Sequence, residues 1–213
     1  MTIIKICGIR TLTDALAAIE AGADYLGFNF YRQSPRYIAP QDCAAITALL
    51  KKEHPEARLV GVYVNSSEAE INAIMESCSL DLAQLHGDES AAFRASVGER
   101  AFKALRGAPN GAVESFARAA APAFLLDAAH KGAYGGTGTT TDWAAAAVLA
   151  KRYPLFLAGG LNPENVGAAV RQVRPWGVDV ASGVESSPGE KDAGKMRTFV
   201  AAVRSAAIAM ENS

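Results

Sequence analysis

Residues 3–8 read IIKICG, and this short unit decides how the rest of the chain is read. Ile3, Ile4 and Ile6 supply β-branched bulk and Gly8 punctuates the end, the make-up of a short buried strand. The pattern recurs: apolar runs at residues 3–7, 24–29, 59–64, 81–85, 101–105, 123–127, 155–158 and 178–181 make eight, each leading through a turn into an amphipathic stretch. Runs apolar on both faces suit parallel strands covered on each side.

The stretches between them carry helix-start signals. Thr11 is a candidate N-cap for a helix that closes at Gly22. Pro40-Gln41-Asp42 opens another, Asn65-Ser66-Ser67-Glu68 a third, and Asn162-Pro163-Glu164 sets proline at a first helical position. A last helix is expected over about 192–210, with Met196, Phe199, Val200 and Val203 at helical spacing. No linker or low-complexity tract interrupts the chain. Eight β-then-α units over residues 1–213 predict an α/β architecture, a single-domain (β/α)8 TIM barrel. The competing open doubly wound sheet would need fewer strands and a glycine-rich fingerprint after the first, where Gly8 stands alone.

Composition narrows the function classes. Of 213 residues, 50% are hydrophobic and 20% charged, with a formal net charge of −1, so no basic field draws nucleic acid or an anionic membrane. No window approaches the roughly 18 unbroken apolar residues of a membrane helix, and no charged-then-apolar leader opens the chain. Cys7, Cys43 and Cys78 are odd in number and widely spaced, fitting neither a disulfide framework nor a zinc site. The expectation is a cytoplasmic, reduced protein, with a monomer as the default.

In a barrel of this kind, chemistry sits at the C-terminal ends of the strands. There the sequence presents Cys7, then Arg36 in a polar loop, His86, Asp127 ahead of the glycine-rich segment 132–138, Gly159-Gly160, Asp179 and Ser182-Gly183. A thiol, a histidine, two carboxylates and an arginine thus share one rim. Each has a bland alternative. Cys7 is either a small core residue or a reactive thiol. Arg36 is a bidentate carboxylate clamp or a solvated loop arginine. Asp127 is a partly desolvated general acid or a cap or ion-pair residue. His86 is a structural histidine or a ligand contact, and Asp179 orients substrate or braces a loop. Glycines after the seventh and eighth strands bring backbone N–H groups close to a phosphate, or only make tight turns. Cys43 and Cys78 read as packing residues, and His54 and His130 have no nameable partner.

Read in order, Lys5-Ile6-Cys7-Gly8, Ser34-Pro35-Arg36-Tyr37, Gly61-Val62-Tyr63-Val64-Asn65, Gln84-Leu85-His86-Gly87, Leu126-Asp127, Gly135-Gly136-Thr137-Gly138 before Asp142-Trp143, Ala158-Gly159-Gly160-Leu161 with Asn165-Val166, and Ser182-Gly183-Val184-Glu185 before Lys191-Asp192 form a specific set. With these motifs the chain resembles the phosphoribosylanthranilate isomerases of tryptophan biosynthesis over essentially its whole length. The resemblance implies a (β/α)8 barrel and an Amadori rearrangement that needs neither cofactor nor metal, acting on a small phosphorylated substrate. It implies Asp127 as general acid, Cys7 as general base, Arg36 on the anthranilate carboxylate, and Gly159, Gly160, Ser182 and Gly183 around the phosphate. His86 and Asp179 follow as further substrate-binding positions. Related histidine-pathway isomerases use an aspartate at the end of the first strand, so Cys7 argues against them. A catalytically idle phosphate-binding barrel would be expected to lack Cys7 or Asp127. The chain departs from the family pattern at 138–142, where the usual Lys and Phe are absent, at Asn29, and at Ala181 in place of a common serine.

Overall fold

All eight strands foreseen from the apolar runs are present in the computed structural model, which describes residues 1–107, 113–127 and 143–211. They are β1 (Ile3–Cys7), β2 (Tyr25–Asn29), β3 (Arg58–Tyr63), β4 (Leu82–Leu85), β5 (Ala101–Arg106), β6 (Leu125–Asp127), β7 (Phe156–Leu157) and β8 (Gly177–Val180). Every neighbouring pair is parallel, and Ile6 of β1 pairs with Leu26 of β2 on one side and Val180 of β8 on the other, which closes the barrel. The helices α1 (Leu12–Ala21), α2 (Pro40–Glu53), α3 (Glu68–Ser77), α4 (Ala91–Val97), α5 (Val113–Phe116), α6 (Trp143–Ala150), α7 (Val166–Val173) and α8 (Ala193–Glu211) alternate with the strands. None of the described helices is long and apolar enough to cross a membrane.

The apolar character of both strand faces resolves into two separate cores. Successive side chains on a strand point to opposite faces. Ile4, Ile6, Leu26, Phe28, Leu85, Leu126, Leu157 and Val180 face outward into one cluster with the helices. Val60, Phe102, Ala104, Leu125, Phe156 and Ala158 form a second cluster inside the barrel, with Ile3, Tyr25, Leu82 and Trp176 packed against it. Phe156 anchors this floor, edge-on to Tyr25 at 5.5 Å and to Trp176 at 5.0 Å between ring centroids.

Local signals account for most helix ends. Thr11 Oγ1 accepts from the Asp14 N–H, and the chain leaves α1 through Gly22 at φ 100°, a left-handed turn. Ser67 caps α3 by accepting from the Glu70 N–H. The start of α7 differs from expectation. Asn162 Oδ1 accepts from the N–H groups of Glu164 and Asn165 at 3.0 and 2.9 Å, so Pro163 lies in a turn and the helix begins at Val166. A small hairpin, β9 (Glu185–Ser187) with β10 (Glu190–Lys191), also precedes α8, preceded in turn by a 3-10 turn at Ser182–Val184. The last helix is tied back to the first strands: Arg204 donates to Thr2 O, Gly22 O and Asp24 Oδ2, and Asp24 Oδ2 accepts from the Ile4 N–H. His130 and the glycine-rich segment 132–138 lie outside the described residues.

Replacing Phe156 with alanine should leave a void in the barrel interior and cost about 3–5 kcal/mol. Urea unfolding followed by circular dichroism checks this, and an unchanged midpoint would contradict the packing of the floor.

Candidate active site

With Ile4 and Ile6 in the outer cluster, alternation turns Lys5 and Cys7 into the barrel. Lys5 is 0% exposed, and its Nζ donates at 2.8 Å to Oδ1 of Asp179, its register partner on β8. Cys7 pairs in register with Gly27 of β2. A β-carbon on Gly27 would stand 2.7 Å from Cys7 Sγ and 3.1 Å from Lys5 Nζ, so thiol and ammonium share the space that glycine leaves open. Burial opposes the charge on Lys5, but Asp179 and Cys7 outweigh it and hold the ammonium above its ordinary range. Burial pushes the Cys7 thiol up, Lys5 pulls it back, Asp179 pushes with burial and Lys191 pulls against it, and the net direction is up. Cys7 is therefore a buried thiol with a cation already beside it.

The loop after β2 is shaped by Asn29, whose Oδ1 accepts from the Tyr31 N–H and whose Nδ2 donates to Ser34 Oγ. Ser34 Oγ in turn accepts from the Arg36 N–H. The Arg36 guanidinium is not solvated. Its Nε and Nη2 donate to the two carboxylate oxygens of Glu185 at 2.7 and 2.8 Å, a forked pair. Lys191, 0% exposed in its side chain, donates to the same carboxylate at 2.8 Å and to Ala181 O. Burial would push Glu185 up, but Arg36 and Lys191 outweigh it and hold the carboxyl below its usual range. Burial pushes Lys191 down, and Glu185 offsets only part of that.

On β4, Leu85 faces the outer cluster, so Gln84 and the following His86 point inward. His86 Nε2 lies 3.1 Å from Asp127 Oδ2, and its Nδ1 lies 2.9 Å from Gln84 Nε2. Asp127 ends β6 and is 5% exposed.

The loops after β7 and β8 meet face to face. Gly159 and Gly160 adopt φ of 89° and 65°, left-handed conformations that favour glycine. Asn165 Nδ2 donates to Gly160 O, which fixes the turn. At Gly183 a β-carbon would run into Leu161 O and Asn162 Cα, so the absence of a side chain sets how closely the two loops approach.

One cavity at the C-terminal mouth is lined by Cys7, Arg36, His86, Asp127, Asp179, Gly159, Gly160 and Ser182 together. Gly183 contributes instead to the contact between the two loops. Three groups escaped the sequence reading as site residues: Glu185, Lys191 and Gln84. Glu185 and Lys191 pair across the unforeseen hairpin, and Gln84 carried no charge to mark it. Lys5 did leave a signal, a lone cation inside an apolar strand. Cys43 and Cys78 are buried, as expected of packing residues, and His54 pairs with Glu56 at 3.4 Å.

Comparison with known proteins gives a consistent picture. The family model for N-(5'-phosphoribosyl)anthranilate (PRA) isomerase matches residues 4–202. The chain is 51% identical over 203 residues to the N-(5'-phosphoribosyl)anthranilate isomerase of Magnetococcus marinus, covering 95% of each chain. It superimposes on phosphoribosyl anthranilate isomerase from Thermotoga maritima with a TM-score of 0.85 and 36% identity, covering 96% of this chain and 100% of that one. It is also similar, at a TM-score of 0.81 and 35% identity over 96% of this chain and 100% of the other, to a phosphoribosyl anthranilate isomerase solved with reduced 1-(o-carboxyphenylamino)-1-deoxyribulose 5-phosphate.

The Lys5–Cys7 arrangement predicts a titration. In a Lys5→Met, Asp179→Asn double variant, which removes the cation without stranding its partner, the Cys7 thiolate should form at higher pH than in the wild type. Thiolate absorbance against a Cys7→Ser baseline measures it, and an unmoved or lowered midpoint would mean that Lys5 does not outweigh Asp179 at the thiol.

Proposed function

This chain belongs to the N-(5'-phosphoribosyl)anthranilate isomerase family, enzymes of tryptophan biosynthesis, and on that premise we propose that Asp127 and Cys7 are the acid and base of its reaction. The reaction is the Amadori rearrangement of N-(5'-phosphoribosyl)anthranilate to 1-(2-carboxyphenylamino)-1-deoxyribulose 5-phosphate, an internal aldose-to-ketose conversion. A proton delivered to the ribose ring oxygen opens the ring and leaves an iminium at C1. Removal of the C2 proton then gives an enol that tautomerises to the ketone.

The observation that carries this reading is the order of the strands around the mouth. Between β6, which ends in Asp127, and β1, which ends in Cys7, lie only β7 and β8 with their glycine loops. A substrate held by its phosphate at Gly159, Gly160 and Ser182 would present its sugar between the acid on one flank and the thiol on the other. Arg36 follows on the loop after β2, next beyond β1, where it would take the anthranilate carboxylate. Glu185 and Lys191 hold its guanidinium in one orientation, and Nη1 is the nitrogen that Glu185 does not engage. Asp179 and His86 complete the lining.

The electrostatics favour a fixed order of events. Burial keeps the Cys7 proton in place before ring opening, even with Lys5 alongside. The iminium formed by ring opening brings a second positive charge to the thiol. Cys7 then releases its proton to solvent, after Asp127 has acted, and the thiolate takes the C2 proton. A base that waits for its substrate's charge avoids standing as an exposed nucleophile.

The test is an assay with freshly prepared phosphoribosylanthranilate, following the loss of anthranilate fluorescence. The wild type should turn over. Cys7→Ser and Asp127→Asn should each lower kcat by roughly 10²–10⁴-fold, the usual worth of one acid or base group, while still binding the reduced product analogue. Wild-type turnover in either variant overturns the assignment. Arg36→Ala should raise KM more than it lowers kcat, and an unchanged KM would remove Arg36 from the carboxylate.

A further inference from the structure

We propose that His86, oriented by Gln84, is a positioning residue for Asp127: its Nε2–H holds carboxyl oxygen Oδ2 and stabilises the carboxylate left when the proton departs from Oδ1. The inference rests on Asp127 as the general acid and assigns a role to a side chain that otherwise reads as a generic substrate contact.

Both ring nitrogens of His86 are committed within the protein, Nε2 to Asp127 at 3.1 Å and Nδ1 to Gln84 at 2.9 Å. A histidine placed to touch substrate would keep one nitrogen for it. The side-chain amide of Gln84, itself 1% exposed, donates from Nε2 to Nδ1, which makes Nδ1 the acceptor and leaves the ring proton on Nε2. That proton points at Asp127 Oδ2. The Oε1 of Gln84 is buried without a hydrogen-bond partner, so holding the ring is the one bond this buried amide makes through its side chain among the described residues.

The support for the ring is rigid. The His86 N–H donates to Tyr63 O at 2.7 Å. On either side of it, the buried Lys103 ammonium donates to Leu85 O, Gly87 O and Glu89 Oε2. Glu89 in turn accepts from the N–H groups of Gly87 and Asn65, so the turn that carries His86 is fastened to β3 and β5. On β5, between β4 and β6, the small Ala104 faces the barrel interior beside Leu125, and Arg106 is the register partner of Asp127.

The consequence is directional. When Oδ1 gives its proton to the ribose oxygen, the Nε2–H···Oδ2 bond changes from a bond to a neutral acid into a bond to an anion, and such bonds are stronger. The gain appears only as the proton leaves, so it belongs to the transition state and not to substrate binding. No proton is gained or lost by His86 in the step.

Steady-state kinetics on the full chain test the proposal, with binding of the reduced product analogue and thermal unfolding as controls for the fold. His86→Leu should lower kcat roughly tenfold to a hundredfold, the worth of one charge-assisted hydrogen bond, with KM within about twofold. His86→Gln, whose amide nitrogen can stand where Nε2 stands, should recover most of the loss. Gln84→Met, which only releases the ring, should lower kcat severalfold at unchanged KM, and it serves should His86→Leu fail to fold. In an Asp127→Asn background, where no acid remains to be stabilised, His86→Leu should change kcat by less than about twofold. Wild-type kcat in both His86→Leu and Gln84→Met, a raised KM at unchanged kcat, or an equal loss in the Asp127→Asn background would each overturn it. An Asp127→Asn variant with wild-type turnover would instead refute the acid assignment itself, so the two failures are distinct.

Discussion

The Lys5–Asp179 ion pair spans the first and last strands of the barrel from the inside, and much of the site is arranged around it. A buried ammonium is tolerated only with a close counter-charge, and removing one partner of such a pair typically costs about 3–5 kcal/mol. The pair therefore demands space and register together. Gly27 gives the space, because a β-carbon there would collide with Cys7 Sγ and crowd Lys5 Nζ. The register comes from β1 lying opposite β8, with Lys5 beside Asp179. Cys7 sits one inward position further along β1, so the same pair that joins the ends of the sheet also sets the electrostatic surroundings of the thiol.

Around the rest of the mouth, basic side chains are held by carboxylates. Arg36 and Lys191 share Glu185, Lys103 is held by Glu89, and His86 faces Asp127. In the proposed mechanism the charge that turns Cys7 into a base arrives with the iminium and is gone once the enol forms. In the same proposal the two anionic ends of the substrate are served differently, a phosphate by backbone at paired glycine loops and a planar carboxylate by a planar guanidinium.

The fold was legible because parallel strands covered on both faces must be apolar on both faces, and few local sequences other than such strands are. Helix starts were legible where a side chain caps its own neighbour, as at Thr11 and Ser67. At Asn162 the same chemistry misled, since its carboxamide caps a turn containing Pro163 before the helix begins. The β9–β10 hairpin left no periodic signal. What anchors it is the Lys191–Glu185 contact and the reach of Lys195 Nζ to Glu185 O, pairings between residues that local patterning does not connect to a strand.

For the site, the sequence by itself determined which residues stand at strand ends, because a strand's length and the barrel's polarity leave little choice. Cys7, Asp127, Arg36, His86, Asp179 and the paired glycines were all named by that rule, and the ordered motifs tied them to one family. Only the tertiary structure decided their partners. That Arg36 is already clamped by Glu185, that His86 spends both nitrogens on Gln84 and Asp127, and that Lys5 reaches the thiol are facts about side chains up to 149 positions apart in sequence. Strand alternation is a local property and can be read along the chain. Distances across a closed barrel depend on the register of every strand between, and they exist only once the sheet has closed.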